Sequence, residues 1–557
     1  MTLPLSPNPH LLEVRGLTVD FLSLGGAFRA TNGVSFHVDA GETLVILGES
    51  GSGKSVSASA IMGLIDTPPG EICSGKITYR GRNVDDCSPE ERRDLNGKKI
   101  AMIFQDPLSH LNPVYTIGWQ LAEVFSAHGV ATGAEARAKA IEILERVGIP
   151  EPEKRIDQFS HQFSGGQRQR IMIGMAIALR PEILIADEPT TALDVSVQAQ
   201  ILDLMKKLQA EDELAIIMIT HDLEVAASMA DRVIVMNSGK IVEEGEAKAV
   251  FENPQHSYTK TLINALPHAD SNEAIVRRST GEVGKPILEV KALNKYYGVS
   301  SSFFGRGAQL HAVKNLNLTV AKGETVGIVG ESGSGKSTVA RVLLRLNEVS
   351  SGEALFHGRD IFKMDSSELL SFRRKVQMVF QDPYSSMNPR MTTFDIISEP
   401  WRIHKDIIDK PRWRERVIEL LDLVGLKPEH SERYPHQFSG GQRQRIAIAR
   451  ALACDPELII CDEAVSALDV SVQVQVIDLL AELRDRLGLA YIFITHDLPI
   501  VRNFADRIVV MKSGEIVEHA ATVDIFRSPQ HPYTRQLINA TPRPKWEVCP
   551  PVVPVPA

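Results

Sequence analysis

Short, continuous apolar runs recur along the chain and predict buried parallel strands. The clearest are residues 100–104, 183–186 and 214–220, which are apolar at nearly every position. Residues 12–21 and 34–38 instead alternate apolar and polar side chains, which predicts a half-exposed antiparallel sheet. The pattern therefore predicts an α/β fold with a parallel core and an antiparallel β layer.

A helical insertion is predicted within this α/β pattern. Between residues 120 and 160, Leu121, Val124, Ile143 and Leu144 recur at helical spacing. The segment lies between two predicted core strands, so it interrupts the parallel core without replacing it. We therefore predict a third, helical subdomain.

The second half of the chain repeats the first. Corresponding motifs are separated by about 275 residues, a period that indicates two whole domains rather than a solenoid. We predict a first domain over residues 10–265, a linker over 266–285, a second domain over 286–545 and a flexible tail over 546–557. The linker is polar and charged, and the tail is rich in proline.

The octapeptide GESGSGKS occurs once in each half, after an apolar run and before a helix-compatible run. Strand, glycine-rich turn and helix are the context that a phosphate-binding loop requires. The glycines let backbone N–H groups surround an anion, and the helix adds its positive end. An ordinary glycine-rich turn would not explain two identical copies. The predicted nucleotide-binding residues are Gly48, Glu49, Ser50, Gly51, Ser52, Gly53, Lys54, Ser55 and Val56, and Gly330, Glu331, Ser332, Gly333, Ser334, Gly335, Lys336, Ser337 and Thr338.

Two carboxylates follow the apolar run 183–186, and the same arrangement recurs in the second half. Asp187 and Asp462 are predicted to orient Mg²⁺ and its water molecules. Glu188 and Glu463 are predicted to polarise an attacking water as general bases. A capping pair at a strand end is the simpler alternative for such a pair in isolation.

One histidine and one glutamine complete the predicted chemistry of each half. His221 and His496 each end an apolar run, where ligands bind in open α/β sheets, and are predicted to contact a γ-phosphate. Gln105 and Gln381 each precede Asp-Pro and are predicted to contact the water shell of the metal. Without this context, each would be read as a structural histidine or a surface glutamine. The predicted metal-binding residues are Ser55, Gln105, Asp187, Ser337, Gln381 and Asp462.

The stretch FSGGQRQR also occurs in both halves. A serine followed by two glycines before a helix is an N-cap with exposed N–H groups, which can bind an anion. An ordinary cap would explain the serine but not the repeated GGQRQR. The predicted nucleotide-binding residues of this motif are Ser164, Gly165, Gly166, Gln167, Ser439, Gly440, Gly441 and Gln442.

Together, the motifs resemble those of ABC-type ATPases over nearly the whole chain, including Asp194 and Asp469 in TALD and SALD. The resemblance implies two tandem P-loop ABC ATPase domains that sandwich two ATP molecules head to tail. The site of Lys54 would then face residues 439–442, and the site of Lys336 would face residues 164–167. Since both halves carry the glutamate, we expect two competent sites.

The same resemblance implies an aromatic side chain that stacks on adenine before each phosphate loop. Aligning the two halves makes Phe21 and Tyr297 the candidates. Each could equally be a core residue of the β layer, so both interpretations stay open at this point.

Each half ends with a stretch that resembles the C-terminal element of oligopeptide and dipeptide importer ATPases, PQHSYT at 254–259 and PQHPYT at 529–534. Residues 302–306 and 387–392 resemble the second ATPase of such importers, and residues 111–114 resemble the first. The chain is thus similar to two fused importer ATPases, as in YejF-type and glutathione-importer ATPases.

This resemblance implies the motor of a bacterial importer for peptides, with its two lobes paired within one chain. It also implies two transmembrane permease subunits, an extracytoplasmic peptide-binding protein and a peripheral location on the cytoplasmic face of the inner membrane. A ribosome- or DNA-acting tandem ATPase is disfavoured because the linker is short and not basic. The terminal element also disfavours an exporter motor.

Composition bears on possible nucleic-acid partners and on membrane-spanning or signal segments. The chain has 557 residues, 43% hydrophobic and 24% charged, with a net charge of −9 and no basic block, so we expect no nucleic-acid partner. No apolar run approaches the length of a membrane span, and the N-terminus does not resemble a signal peptide.

The number and spacing of the cysteines indicate whether a zinc site or an iron–sulfur cluster is to be expected. All five are scattered and have no zinc-type spacing, as expected of reduced thiols in the cytosol. Many relatives of the importer type carry a cysteine cluster near the C-terminal element that is thought to hold an iron–sulfur centre. Only Cys549 lies near that element here. We therefore expect ATP and Mg²⁺ as cofactors and no iron–sulfur cluster.

Overall fold

The structure is a computed structural model that describes residues 10–23, 26–106, 110–191, 193–264, 285–298, 309–382, 384, 386–466 and 468–546. The chain forms two compact units. The first lobe comprises Met1–Leu266 and Ala540–Pro554, and the second lobe comprises Pro267–Asn539 and Val555–Ala557. The predicted linker up to residue 284, the stretch 302–306 and the tail from residue 547 lie outside the described residues.

Ten strands form two sheets in the described part of the first lobe. They are β1 (Leu12–Ser23), β2 (Gly26–Val38), β3 (Thr43–Leu47), β4 (Gly70–Tyr79), β5 (Arg82–Asn83), β6 (Ile100–Ile103), β7 (Ile183–Asp187), β8 (Ala215–Thr220), β9 (Arg232–Asn237) and β10 (Lys240–Glu246). One sheet has the order β2-β1-β4-β5, with antiparallel pairing. The other has the order β10-β9-β3-β8-β7-β6 and is parallel except for the pair β9–β10.

The predicted strand types match these sheets. β3, β7 and β8 are buried along their whole length, as their continuous apolar sequences predict. β2 alternates buried and exposed residues toward its C-terminal end, as a sheet with one solvated face does.

Helices cover the sheets of the first lobe and form its insertion. They are Lys54–Met62, Pro89–Lys98, Ile117–Ala127, Gly133–Arg146, Pro152–Arg155, Gly165–Ile177, Val195–Asp212, Leu223–Met229, Ala247–Glu252 and Ser257–Asn264. In the insertion, Leu121 and Leu144 are fully buried and Ile143 nearly so. The helical spacing of the sequence therefore predicted the apolar face of the insertion correctly.

The second lobe repeats this architecture. Its strands are β11 (Pro286–Gly298), β12 (Gln309–Ala321), β13 (Thr325–Val329), β14 (Ser351–Phe356), β15 (Arg359–Asp360), β16 (Val376–Val379), β17 (Leu458–Asp462), β18 (Ala490–Thr495), β19 (Arg507–Lys512) and β20 (Glu515–Ala521). They form a sheet β12-β11-β14-β15 and a sheet β16-β17-β18-β13-β19-β20. Its helices are Lys336–Leu343, Ser366–Lys375, Thr393–Ile403, Trp413–Leu423, Gly440–Leu452, Val470–Leu487, Leu498–Phe504, Thr522–Arg527 and Pro532–Ala540.

Strand order brings the separate sequence motifs together. β8 lies between β3 and β7, with Leu47 opposite Thr220 and Asp187 opposite Ile219. The residues that follow these parallel strands therefore meet at one edge of the sheet, where ligands bind in such folds. The predicted α/β fold with an antiparallel layer and a helical insertion is confirmed in each lobe.

A short segment after the helix Pro532–Ala540 belongs to the first lobe. The backbone N–H of Lys545 donates to the carbonyl of Ala227 at 2.9 Å. The Lys545 ammonium lies 2.6 Å from Asp231, and the ring of Trp546 lies 5.6 Å from that of Phe251. Within the described residues, no helix is long and apolar enough to cross a membrane.

Candidate nucleotide-binding sites

The glycines of each phosphate loop are required by both backbone angle and space. Gly48 has φ 155° and Gly53 has φ 100°, and both angles favour glycine. A Cβ at Gly48 would lie 2.3 Å from the carbonyl oxygen of Met236, and one at Gly53 would lie 2.5 Å from that of Ala30. The same conflicts exist at the second-lobe counterparts, Gly330 and Gly335.

The lysine of each loop is buried and donates to loop carbonyls. Lys54 Nζ lies 2.7 Å from the oxygen of Gly48 and 2.8 Å from that of Glu49. Lys336 Nζ makes the corresponding bonds at 2.6 and 2.9 Å. A buried ammonium requires such acceptors, and phosphate oxygens are stronger acceptors of the same kind.

The predicted metal ligands Ser55 and Asp187 are brought together, although they are 132 residues apart in sequence. Ser55 Oγ donates to Asp187 Oδ1 at 3.0 Å, and Ser337 donates to Asp462 at 2.8 Å. Burial raises the pKa of both aspartates, because the charged form is poorly solvated there. Hydroxyl and carboxylate oxygens are the donors that Mg²⁺ prefers, so these residues fit the ion.

Glu188 is the centre of a cluster in the first lobe. Its carboxylate oxygens lie 3.0 Å from His221 Nδ1 and accept bonds from Gln105 Nε2 at 2.7 Å and Thr191 Oγ1 at 2.9 Å. Its φ of 47° is unusual for a residue other than glycine, and its N–H is bonded to the carbonyl of Ile219 at 2.8 Å. The three predicted residues Gln105, Glu188 and His221 thus meet.

The hydrogen bonds of Glu188 also set its charge state. Burial raises its pKa, but the bonds from His221 and Thr191 outweigh burial and lower the pKa to about 2. The carboxylate is therefore ionised at neutral pH, with both oxygens engaged.

Glu463 has a similar cluster with one partner fewer. Gln381 Nε2 donates to its side chain at 2.6 Å, and His496 Nδ1 lies 3.4 Å away. Ser466, which corresponds to Thr191, instead donates to the backbone carbonyl of Glu463 at 3.0 Å. The bond to His496 is the main cause that lowers the pKa of Glu463.

The repeated SGGQ stretch begins a helix in each lobe. Ser164 caps the helix Gly165–Ile177 by accepting the N–H of Gln167 at 3.3 Å. A Cβ at Gly166 would lie 2.3 Å from Val197, so glycine is needed there for packing. A Cβ at Gly165 would come no nearer than 3.8 Å to Leu193. The counterparts Ser439, Gly441 and Gln442 share this arrangement, whereas a Cβ at Gly440 would lie 3.3 Å from Leu468.

The two candidate adenine-stacking residues lie in the β layers. Phe21 is half-buried on β1 and packs against the core of that layer. Tyr297 is half-buried on β11, accepts a bond from Asn347 Nδ2 at 2.7 Å and lies under Lys295, 4.8 Å from the ring centre. Their contact with adenine stays a prediction.

Sequence reasoning missed three contacts. Thr191 supports Glu188 from three residues further on. Tyr258 and Tyr533, in the C-terminal stretches, each accept a backbone N–H from a phosphate loop at 3.2 Å. The signal for the tyrosines was present, since the same residue type occurs at the same place in both halves.

Comparison with known families agrees with this organisation. The ABC transporter family matches residues 31–191 and again 313–466. The C-terminal region of oligopeptide/dipeptide transporters matches residues 242–291 and 517–549. Both families therefore match twice, in the order that the internal repeat predicts.

Individual relatives extend over nearly the whole chain. The glutathione import ATP-binding protein GsiA of Salmonella paratyphi A is 46% identical over 96% of this chain and 89% of its own length. The same protein of Escherichia coli O157:H7 is 44% identical, with coverages of 96% and 90%. A solved dimeric ATP-binding cassette, bound to ADP and Pi, is 32% identical over 42% of this chain and 98% of that one, with a TM-score of 0.38.

These relatives settle the family. Both ABC cassettes and both C-terminal regions are present in one chain, and the curated relatives share that length. The chain belongs to the ABC transporter family, as an ATP-hydrolysing subunit of an importer of the oligopeptide/dipeptide class.

Proposed function

We propose that the chain hydrolyses ATP at two sites to drive the import of a short peptide, of the size and chemistry of glutathione. The observation that carries the proposal is the complete set of predicted residues around Glu188, which recurs around Glu463. The substrate class is supported by relatives that are glutathione import proteins and that cover 96% of this chain.

The residues of each lobe have distinct roles in this proposal. Lys54 and Lys336 exchange the loop carbonyls for the phosphates of ATP. Ser55 with Asp187, and Ser337 with Asp462, hold Mg²⁺, which neutralises charge on the phosphates. Only the lysine side chain needs to turn in this exchange, because each ammonium already lies inside its loop.

Glu188 and Glu463 act as general bases for the attacking water. A carboxylate with a pKa of about 2 is a weak base, and both oxygens of Glu188 are already engaged. Efficient proton transfer needs a higher pKa. We therefore infer that Glu188 becomes active only when His221 and Gln105 turn from the carboxylate toward the bound nucleotide.

The serines and glycines of the two SGGQ stretches complete the sites in this proposal. Each stretch offers N–H groups at a helix N-terminus, which can bind a γ-phosphate. Following the family resemblance, Ser439 serves the site of Lys54 and Ser164 serves the site of Lys336. This head-to-tail pairing within one chain is tested below by substitution.

The surfaces that follow Gln105 and Gln381 are proposed to contact two permease subunits. In the first lobe this surface is apolar, with Val114, Tyr115 and Trp119 exposed by 72%, 42% and 46%. The counterparts in the second lobe are Arg390, Met391 and Asp395. Because the two surfaces differ in chemistry, we propose two different permease subunits. Cysteine cross-linking from positions 114 and 390 should capture different partners; one common partner would contradict this.

The remaining partners follow from the importer class. We propose a peripheral position at the cytoplasmic face of a bacterial inner membrane and an extracytoplasmic protein that delivers the peptide. Affinity purification from membranes should recover the permease subunits, and disruption of the gene should abolish uptake of labelled glutathione or of a short peptide. Normal uptake of both compounds would contradict the proposed substrate class.

The cofactor proposal is ATP with Mg²⁺ and without an iron–sulfur cluster. Four of the five cysteines lie in the described part of the chain as free thiols, two of them, Cys454 and Cys461, buried. Iron and acid-labile sulfide should be absent from protein purified without oxygen. Stoichiometric iron would contradict the prediction and direct attention to Cys549.

A further inference from the structure

The phosphate loop of each lobe is bonded to a tyrosine from the C-terminal element. Tyr258 Oη accepts the N–H of Glu49 at 3.2 Å, and Tyr533 Oη accepts the N–H of Glu331 at 3.2 Å. The tyrosines lie 209 and 202 residues from their partners in sequence. The contact is therefore a tertiary one, formed twice on the same chain.

The bonded N–H belongs to the first peptide group of the loop, between Gly48 and Glu49. The carbonyl of the same group accepts Lys54 Nζ at 2.7 Å. Since a peptide group is planar, the tyrosine and the lysine together fix its orientation. When Lys54 turns to the phosphates, Tyr258 keeps its hold on the N–H side of this peptide group. Tyr533, Gly330 and Lys336 have the same arrangement.

The tyrosine is held in place by its neighbours in the PQH-x-YT stretch. His256 Nδ1 accepts the N–H of Tyr258 at 3.2 Å. Glu243 accepts the N–H groups of Gln255 and His256 at 2.7 and 2.9 Å. Buried Thr259 follows the tyrosine on the helix Ser257–Asn264. Gln255, His256 and Tyr258 of the repeated stretch thus each make a hydrogen bond within this lobe.

The second lobe forms the same contacts. His531 Nδ1 accepts the N–H of Tyr533 at 3.2 Å, and Glu518 accepts those of Gln530 and His531 at 2.7 and 3.0 Å. Tyr533 is 3% exposed, with Lys512 Nζ 4.5 Å from its ring centre. The contact is thus present in both lobes at the same distance.

We propose that Tyr258 and Tyr533 are positioning residues for the two phosphate loops, so that the C-terminal element of each lobe sets the nucleotide affinity of that lobe. The hydroxyl fixes the first peptide group in the orientation that Lys54 or Lys336 uses. By linkage, nucleotide binding and docking of the element favour each other by the same factor. The proposal rests on nucleotide binding by the lobes and not on the identity of the transported compound.

The test removes only the hydroxyls. In Tyr258→Phe/Tyr533→Phe, we expect the Kd for MgADP, measured by calorimetry, and the KM for ATP to rise about 2- to 10-fold, as loss of one neutral hydrogen bond implies. We expect kcat to change less than 2-fold and the melting temperature without nucleotide to fall by no more than about 6 °C, as loss of one hydrogen bond in each lobe implies. Tyr491→Phe is the matched control, because its buried hydroxyl has no partner within the described residues.

The remaining outcomes also decide the proposal. An unchanged Kd in the double variant would overturn it, as would a lowered melting temperature with no change in Kd. If the double variant does not fold, Glu243→Gln/Glu518→Gln tests the same contact indirectly. These substitutions weaken the support of the tyrosines, leave the phosphate loops unaltered and should raise the KM for ATP. Failure of the wild-type chain to bind MgADP would instead refute the proposed ATPase function.

Discussion

The two lobes carry the same catalytic residue types but support them differently. Glu188 lies 3.0 Å from His221 and accepts a side-chain bond from Thr191. Glu463 lies 3.4 Å from His496, and Ser466 bonds to its backbone instead. Thr191 and Ser466 differ by one methyl group and by the acceptor of the hydroxyl, so the first glutamate has one more side-chain partner. Identical motifs do not guarantee identical electrostatics.

A second difference lies on the surface away from the sites. Phe526 in the second lobe is covered by Arg502 of that lobe, with the guanidinium 5.3 Å from the ring centre. The counterpart of Arg502 in the first lobe is Ala227, and Phe251 there contacts Trp546 from the end of the chain. In the first lobe, the phenylalanine therefore packs against a residue that is distant in sequence. In the second lobe, it packs against a residue of a neighbouring helix.

Substitution of the two glutamates should have the largest effect. Loss of a general base typically costs about 10²–10⁴-fold in rate. We expect Glu188→Gln/Glu463→Gln to bind ATP, hydrolyse it at less than about 1% of the wild-type rate and stay in a closed state that size-exclusion scattering can detect. The single variants then compare the lobes directly. Rapid turnover by the double variant would refute the assignment of the base.

The signature serines should have the next largest effect. Removal of one positioned donor costs about 10²–10³-fold. We expect Ser439→Arg to disable the site of Lys54, measured by vanadate trapping of labelled nucleotide followed by proteolytic separation of the halves. Ser164→Arg should do the reverse. Trapping lost only in the lobe that carries the substitution would contradict head-to-tail pairing.

Replacement of His221 or His496 should change the pH dependence of unfolding to a different extent in the two lobes. The lowered pKa of Glu188, about 2 against an ordinary 4.5, contributes stability above about pH 4.5 that is lost as pH falls toward 2. We expect His221→Ala to raise that pKa, so that the unfolding midpoint of the variant depends less on pH between about 5 and 3. The effect of His496→Ala should be smaller, because its contact is longer.

Thr191 provides a control for that comparison. Thr191→Ala should raise the pKa of Glu188 in the same direction but less than His221→Ala, whereas Ser466→Ala should leave Glu463 unchanged. Equal effects of the two substitutions would show that the different bonds of the two lobes have no electrostatic consequence.

The smallest effect should follow from removal of the terminal contact. An aromatic pair contributes about 0.5–1.5 kcal/mol, so a chain that ends at Pro544 should unfold its first lobe about 2–6 °C lower. Differential scanning calorimetry checks this shift. Ala227→Arg, which copies the second lobe, should restore part of the loss in the shortened chain. No rescue would contradict the equivalence of Trp546 and Arg502.

The fold class, the repeat and the residue types of each site could be predicted from the amino-acid sequence. These features depend on local pattern: apolar runs, glycines next to a lysine, and carboxylates at the end of a strand. The repeat strengthened each inference, because a motif that occurs twice in the same context is difficult to explain by chance.

Which atoms are in contact could be learned only from the three-dimensional fold. The bond of Thr191 to the Glu188 carboxylate depends on the direction of the hydroxyl, because Glu463 has the same left-handed backbone and Ser466 bonds to its carbonyl instead. The contact of Tyr258 with Glu49 depends on how the C-terminal helix packs against the lobe. The position of Trp546 depends on the course of the chain after the helix Pro532–Ala540. Such contacts join residues far apart in sequence, so local pattern carries no record of their distance or geometry.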